Sequence, residues 1–225
     1  MNYFEIIPSE LNNIIISYIT FDLKSVLDTF IFRGLNWGTI HSYHFGLYSF
    51  INESEYLKKL SVEVLIIKLN LKYTVNELLD LKELYLTDNK LKQVPPEIGN
   101  LTNLQVLSLS NNFLERVPPE IGNLINLQRL TLSHNFLERV PPEIGNLTNL
   151  QELYLSYNKL TQVPPEIGNL TNLQELSLMN NKLTQVPPEI GKLTNLQVLY
   201  LMNNNQLAQI PPEIKNIPGI RIYKN

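Results

Sequence analysis

"LTNLQELYLSYNKLTQVPPEIGN", residues 147–169, decides the fold, because the same register returns every 23 residues from residue 78 onward, with one extra residue in the sixth unit at MNNNQLAQ. The block PPEIG recurs at 95–99, 118–122, 141–145, 164–168 and 187–191, with PPEIK at 211–215. Twelve of the chain's fourteen prolines lie in these blocks, so proline here marks a repeated turn rather than scattered loops. A fixed period of this size means a solenoid, in which each unit buries its apolar side against the next.

Each unit carries the frame L-x-x-L-x-L-x-x-N-x-L, here Leu147, Leu150, Leu153, Leu155, Asn158 and Leu160. The L-x-L piece has period two, so Leu153 and Leu155 point inward while Glu152, Tyr154 and Ser156 point outward. That is a short strand with one buried face. An asparagine column follows the strands at Asn89, Asn112, Asn135, Asn158, Asn181 and Asn204. A buried amide at that place can serve backbone groups of its own turn and of its neighbour's, which predicts a structural ladder. The proline pair sets φ twice and offers no N–H, which suits an irregular or 3-10 return and excludes a sheet centre. The glycine that closes each return is expected to give backbone freedom there.

The ends depart from the frame. Ile66, Leu69 and Leu71 fit L-x-x-L-x-L without a proline return, which predicts a degenerate first strand. Lys215 stands where glycine is expected, so the last turn should differ. Ile217, Ile220, Ile222 and Asn225 predict a final strand with no return after it. The count is about eight parallel strands.

The frame resembles the leucine-rich repeat, and its V-P-P-E-I-G-N-L-x-N-L-Q register is similar to the 23-residue intracellular type of the Ras-scaffold and plant Ras-group proteins. The resemblance covers residues 66–225. It implies an α/β solenoid with a curved parallel sheet and an irregular or 3-10 convex side. It implies binding rather than a particular partner, since one scaffold serves many functions.

Composition narrows the function further. Apolar residues make up 44% of the chain and charged residues 17%, which is the balance of an ordered protein. A net charge of −3 without a basic run speaks against nucleic acid. No cysteine occurs, which removes disulfides, thiolate nucleophiles and Cys-based metal centres. The opening MNYFEIIPSE lacks a basic n-region and no apolar run is long enough to span a bilayer, so the expectation is an intracellular, cytoplasmic protein away from membranes. Three histidines are present, and His41 with His44 lacks a third ligand, so no metal and no cofactor are expected. No phosphate-binding glycine loop, nucleophile elbow or carboxylate pair stands out, and the chain is expected not to be an enzyme.

In a stack of this kind the outward strand positions align into columns on the concave side. These columns vary while the framework columns barely change, which marks the positions freed from packing. Candidate partner-binding residues are Tyr85, Arg129, His134, Glu152, Tyr154, Tyr157, Met179, Tyr200 and Met202, because tyrosine, arginine and methionine supply interface energy. Phe113 and Phe136, directly after the ladder, are expected to pack on each other, as a phenylalanine spine does in this family.

The front of the chain is of another kind. Leu11, Ile14, Ile15, Tyr18 and Ile19 form one helical stripe, and Leu23, Val26, Leu27, Phe30 and Ile31 a second, opened by Asp22. Residues 7–37 are similar to an F-box: Ile7, Pro8, Glu10, Leu11, Ile15, Ile16, Tyr18, Asp22, Leu23 and Trp37 take the places of its pattern, with isoleucine for leucine at several. The resemblance implies docking on the Skp-type adaptor of a cullin–RING ubiquitin ligase, with the repeats selecting the substrate. The other reading is a helical cap over the first edge of the solenoid core. The expected division is a helical F-box-like segment at 1–40, a cap with a degenerate repeat at 41–77, and repeats at 78–225. The function expected is non-catalytic binding of a protein ligand on the concave surface by a monomer. Two settings stay open, a ubiquitin-ligase substrate receptor and a stand-alone scaffold in Ras-type signalling.

Overall fold

The computed structural model describes residues 53–224. The chain divides into two compact units, residues 1–64 and 65–225. The F-box-like residues 7–37, the expected boundary after residue 40, and His41 and His44 lie outside the described residues.

Helix α1, Glu53–Leu69, ends on Asn70 in the left-handed conformation at φ 51°. The Asn70 N–H bonds the Ile67 carbonyl and the Leu71 N–H bonds that of Ile66, the paired closure that satisfies a helix's last carbonyls. The strand expected at 66–71 is therefore absent. Spacings of three and two between Ile66, Leu69 and Leu71 suit helix and strand alike, and thirteen helix-compatible residues before them, without Pro or Gly, extend the helix through. Helix α2, Val75–Asp80, starts on a capping box in which Thr74 and Glu77 bond each other's backbone N–H.

Seven three-residue strands then form one parallel sheet in sequence order, one fewer than expected. They are β1 Glu83–Tyr85, β2 Val106–Ser108, β3 Arg129–Thr131, β4 Glu152–Tyr154, β5 Glu175–Ser177, β6 Val198–Tyr200 and β7 Arg221–Tyr223. Each residue pairs with the one 23 positions on, as Leu130 with Leu153, so the sequence period is the register of the sheet. The inward leucines of the inner repeats are fully buried, from Leu101, Leu104, Leu107 and Leu109 to Leu170, Leu173, Leu176 and Leu178, while Leu81 and Leu91 of the first repeat are half-buried. Burying each contributes roughly 2 kcal/mol, repeated along the stack.

The returns are 3-10 turns, from Pro96–Asn100 to Pro188–Lys192, each with a proline in its first turn. The closing glycines are needed for a reason other than the expected one. None of these five has positive φ. A Cβ on Gly145 would instead lie 2.5 Å from the carbonyl oxygen of Glu166, and Gly99, Gly122, Gly168 and Gly191 face the next repeat in the same way. Their role is close approach of successive turns. Lys215 stands in the place of that glycine, and Pro212–Lys215 forms the short α-helical turn α3 rather than a 3-10 turn.

The asparagine ladder is present from Asn112 onward. Asn158 Nδ2 donates to the carbonyls of Leu132 (3.0 Å) and Leu155 (3.1 Å), while its Oδ1 accepts from the Leu137 N–H (3.0 Å). Asn135, Asn181 and Asn204 repeat this arrangement, and Asn112 bonds the first turn in the same way. Asn89 follows the helices α1 and α2 rather than a described repeat, stays exposed, and bonds the Thr87 carbonyl through its side chain. A second ladder was not anticipated: Asn103, Asn126, Asn149, Asn172 and Asn195 each donate to a backbone carbonyl 24 residues earlier. Its signal was the recurring N-L before each strand.

Replacing Asn158 with alanine strands buried polar groups in two turns and should lower stability by about 2–4 kcal/mol, whereas Asn89→Ala should cost under about 1 kcal/mol. Denaturant midpoints measured on the full chain test this. Equal midpoints for the two variants would show that the ladder is not what joins the turns.

Candidate functional site

The outward positions of the strands make one continuous face. With strands about 4.8 Å apart, seven of them span about 29 Å, room for an extended segment of about eight residues. Every candidate partner-binding residue lies on this face or on the turn that follows it. Tyr85 and Tyr157 are among the most exposed apolar residues, at 61% and 44%. Arg129 and His134 are exposed, while Glu152, Tyr154, Met179, Tyr200 and Met202 are half-buried.

Four groups of side chains on this face are tied together. Arg129 and Glu152 face each other across β3 and β4 and form a bidentate pair, with Nε to Oε2 at 2.6 Å and Nη2 to Oε1 at 2.8 Å. The Tyr154 hydroxyl donates to the same Glu152 carboxylate at 3.0 Å. On the edge strand β1, the Tyr85 hydroxyl donates to Glu83 at 2.7 Å. His134 and Tyr157 stack with ring centroids 4.2 Å apart and planes 11° from parallel. Tyr200 stacks at 5.1 Å on Tyr223, a residue the column reading missed because it stopped at the sixth repeat, although 223 follows 200 by one period.

His134 and Tyr157 belong to a column with a special backbone. Asp88, Asn111, His134, Tyr157, Asn180 and Asn203 all have φ between 53° and 61°. Asparagine and aspartate tolerate this left-handed region best, and they fill four of the six places. An imidazole and a phenol fill the other two, where each costs on the order of 1 kcal/mol of strain.

The charge pair sets the local titration. The bonds from Arg129 hold the Glu152 carboxyl below its ordinary value, against the opposing effect of partial burial. Burial first, and then the bond to Glu152, push the Tyr154 phenol well above the usual tyrosine range. Among the described residues no cluster of three or more His, Cys, Asp or Glu side chains could hold a metal ion. No described helix is long and apolar enough to cross a membrane.

Outside the sheet, Phe113 and Phe136 stack as anticipated, with centroids 6.0 Å apart and planes 11° from parallel. They stay 45% and 42% exposed, so they are not a buried spine.

A depressed carboxylate stabilises the fold fully above its ordinary unfolded value and loses that contribution as pH falls through the lowered folded value. Glu152→Gln should therefore melt below wild type at neutral pH by less than about 1 kcal/mol, the pair being largely solvent-screened. The gap should close as pH falls below roughly 4. Thermal melts across this range test it, and a gap that persists at the acid end would show that Glu152 acts through packing instead.

A leucine-rich repeat region model matches residues 63–157, a single leucine-rich repeat model matches 149–170, and a model of two leucine-rich repeats matches 171–216. No curated protein matches the chain. A solved leucine-rich repeat protein of Leptospira interrogans is 37% identical with a TM-score of 0.54, over 68% of this chain and 46% of that one. The present chain thus spans under half the length of that relative. With the asparagine ladder, the buried leucine frame and the parallel register in place, the chain is a leucine-rich repeat protein.

Proposed function

We propose that the repeats bind a protein partner across the concave face, without chemistry of their own and as a monomer. Leucine-rich repeat domains are generally protein-interaction modules. One observation carries the reading: the face holds its aromatic and charged side chains already fixed to each other. Arg129, Glu152 and Tyr154 form one bonded group, and the His134–Tyr157 and Tyr200–Tyr223 stacks lock four rings. Side chains ordered before binding lose less freedom on binding, which raises affinity for a given contact area. Tyr85, Met179 and Met202 extend the same surface. Tyrosine and methionine supply apolar area there, and the carboxylates supply orientation.

A second reading concerns what is done with the captured partner. The F-box-like pattern of Ile7, Pro8, Glu10, Leu11, Ile15, Ile16, Tyr18, Asp22, Leu23 and Trp37 supports a substrate receptor docked on a Skp-type adaptor of a cullin–RING ubiquitin ligase, which requires an intracellular location. Without that docking the chain is a stand-alone scaffold in Ras-type signalling, its front a cap over the solenoid.

Two bindings separate these readings. Affinity capture by the full chain should recover proteins that are lost with Tyr154→Ala plus Tyr200→Ala, at unchanged melting temperature; retention of every captured protein by that variant would refute concave-face recognition. The purified adaptor should bind the full chain, and Pro8→Ala with Leu11→Asp should abolish this while leaving concave-face capture intact. Adaptor binding that ignores both substitutions would refute the F-box reading.

A further inference from the structure

The turns after the strands carry a second surface, apart from the sheet face. A groove on the surface is lined by Lys92, Gln93, Phe113, Glu115, Arg116 and Phe136. Its floor is the Phe113–Phe136 stack, and the Lys159 ammonium lies over the Phe136 ring, 4.7 Å from its centroid. The equivalent positions in the neighbouring repeats are Lys90, Lys159, Lys182 and Asn205, so the two rings are a local departure from a polar column. Solvent reaches nearly half of each ring. Two turns that contribute to this stretch also hold the strained His134 and Tyr157 rings, on the other side of the buried asparagines. Four aromatic side chains within three repeats are thus left on the surface, where core packing gains little from them.

The electrostatics select the occupant. Lys92, Arg116 and Lys159 stand around the groove against Glu115 alone, and none of the three is ion-paired among the described residues. Across the five turns at 88–93, 111–116, 134–139, 157–162 and 180–185, six cations face three anions, a local balance of +3 in a chain whose net charge is −3. We propose that this groove docks an acidic segment of a protein partner, with an apolar side chain of that segment seated on the Phe113–Phe136 rings and its carboxylates on Lys92 and Arg116. Guanidinium and carboxylate match as a planar fork, and an apolar anchor in the centre of a charged rim is the usual build of an interface hot spot. A nucleic-acid strand fits less well, because Glu115 beside Arg116 and Glu138 beside Arg139 interrupt any continuous phosphate track. The surface is independent of the sheet-face reading except that both border on His134 and Tyr157.

The test uses the full chain and a short fluorescein-labelled peptide of aspartate and glutamate around a central Trp-x-x-Leu, followed by fluorescence anisotropy. Binding is expected to weaken about tenfold or more in Phe113→Ser with Phe136→Ser, as for hot-spot loss, and to stay within about twofold in Tyr154→Ala with Tyr200→Ala. Arg116→Glu, a surface change that leaves the rings in place, should weaken binding and flatten its salt dependence. A peptide with lysine for every acid, or serine for tryptophan and leucine, should bind at least about tenfold more weakly. The proposal is overturned if these control peptides bind equally, or if both the phenylalanine variant and Arg116→Glu bind like wild type. Tighter binding of a single-stranded oligothymidine, or a dimer in sedimentation that Phe113→Ser with Phe136→Ser dissociates, would overturn it too, naming nucleic acid or a second copy as the occupant.

Discussion

The structure depends on an amide shared between turns. Each ladder asparagine satisfies the turn it belongs to and the turn before it, so no repeat can close without its neighbour. Buried backbone groups that have no strand partner must bond somewhere, and in a stack of three-residue strands most of the backbone lies outside the sheet. The asparagine takes over that task once per repeat. The second asparagine row, on the other side of the strands, does the same where the chain enters the sheet. The closing glycines then let the 3-10 turns approach within contact of the next repeat's backbone, which keeps both rows in register.

Such a framework leaves few residues free, and those few fall in columns. Because Leu153 and its equivalents pair in strict succession, the outward positions line up one period apart, although Ser156, Ser177 and Val198 among them are themselves buried. The face therefore shows two kinds of order. Polar pairs such as Arg129 with Glu152 arise from cross-strand neighbours one period apart. Aromatic pairs arise in the same way, and His134 with Tyr157 does so at backbone positions that disfavour both residues. The left-handed backbone itself belongs to the fold, since all six repeats adopt it at this position whatever the side chain.

Much of this was legible in the chain. The strands β1 to β6, the final strand, the ladder and the Phe113–Phe136 stack all follow from periodicity, since a period of 23 places equivalent residues side by side. The misreadings came where periodicity ended. Ile66, Leu69 and Leu71 matched the frame, but helix α1 ran through them to a left-handed Asn70. Glycine was assigned to backbone freedom when the governing contact was with a residue 21 positions away. Neither could be settled by local pattern, because one turned on the length of the preceding helix and the other on the distance between turns.

The sequence by itself determined that this is a leucine-rich solenoid and which positions face outward, because repetition converts spacing along the chain into adjacency in space. Only the tertiary structure decided which outward residues bond or stack with each other and which rings stay exposed. It alone showed that His134 and Tyr157 sit on left-handed backbone and that Phe113 and Phe136 floor an open groove beside Lys92 and Arg116. Those properties depend on side-chain reach and solvent access between repeats, which spacing does not encode.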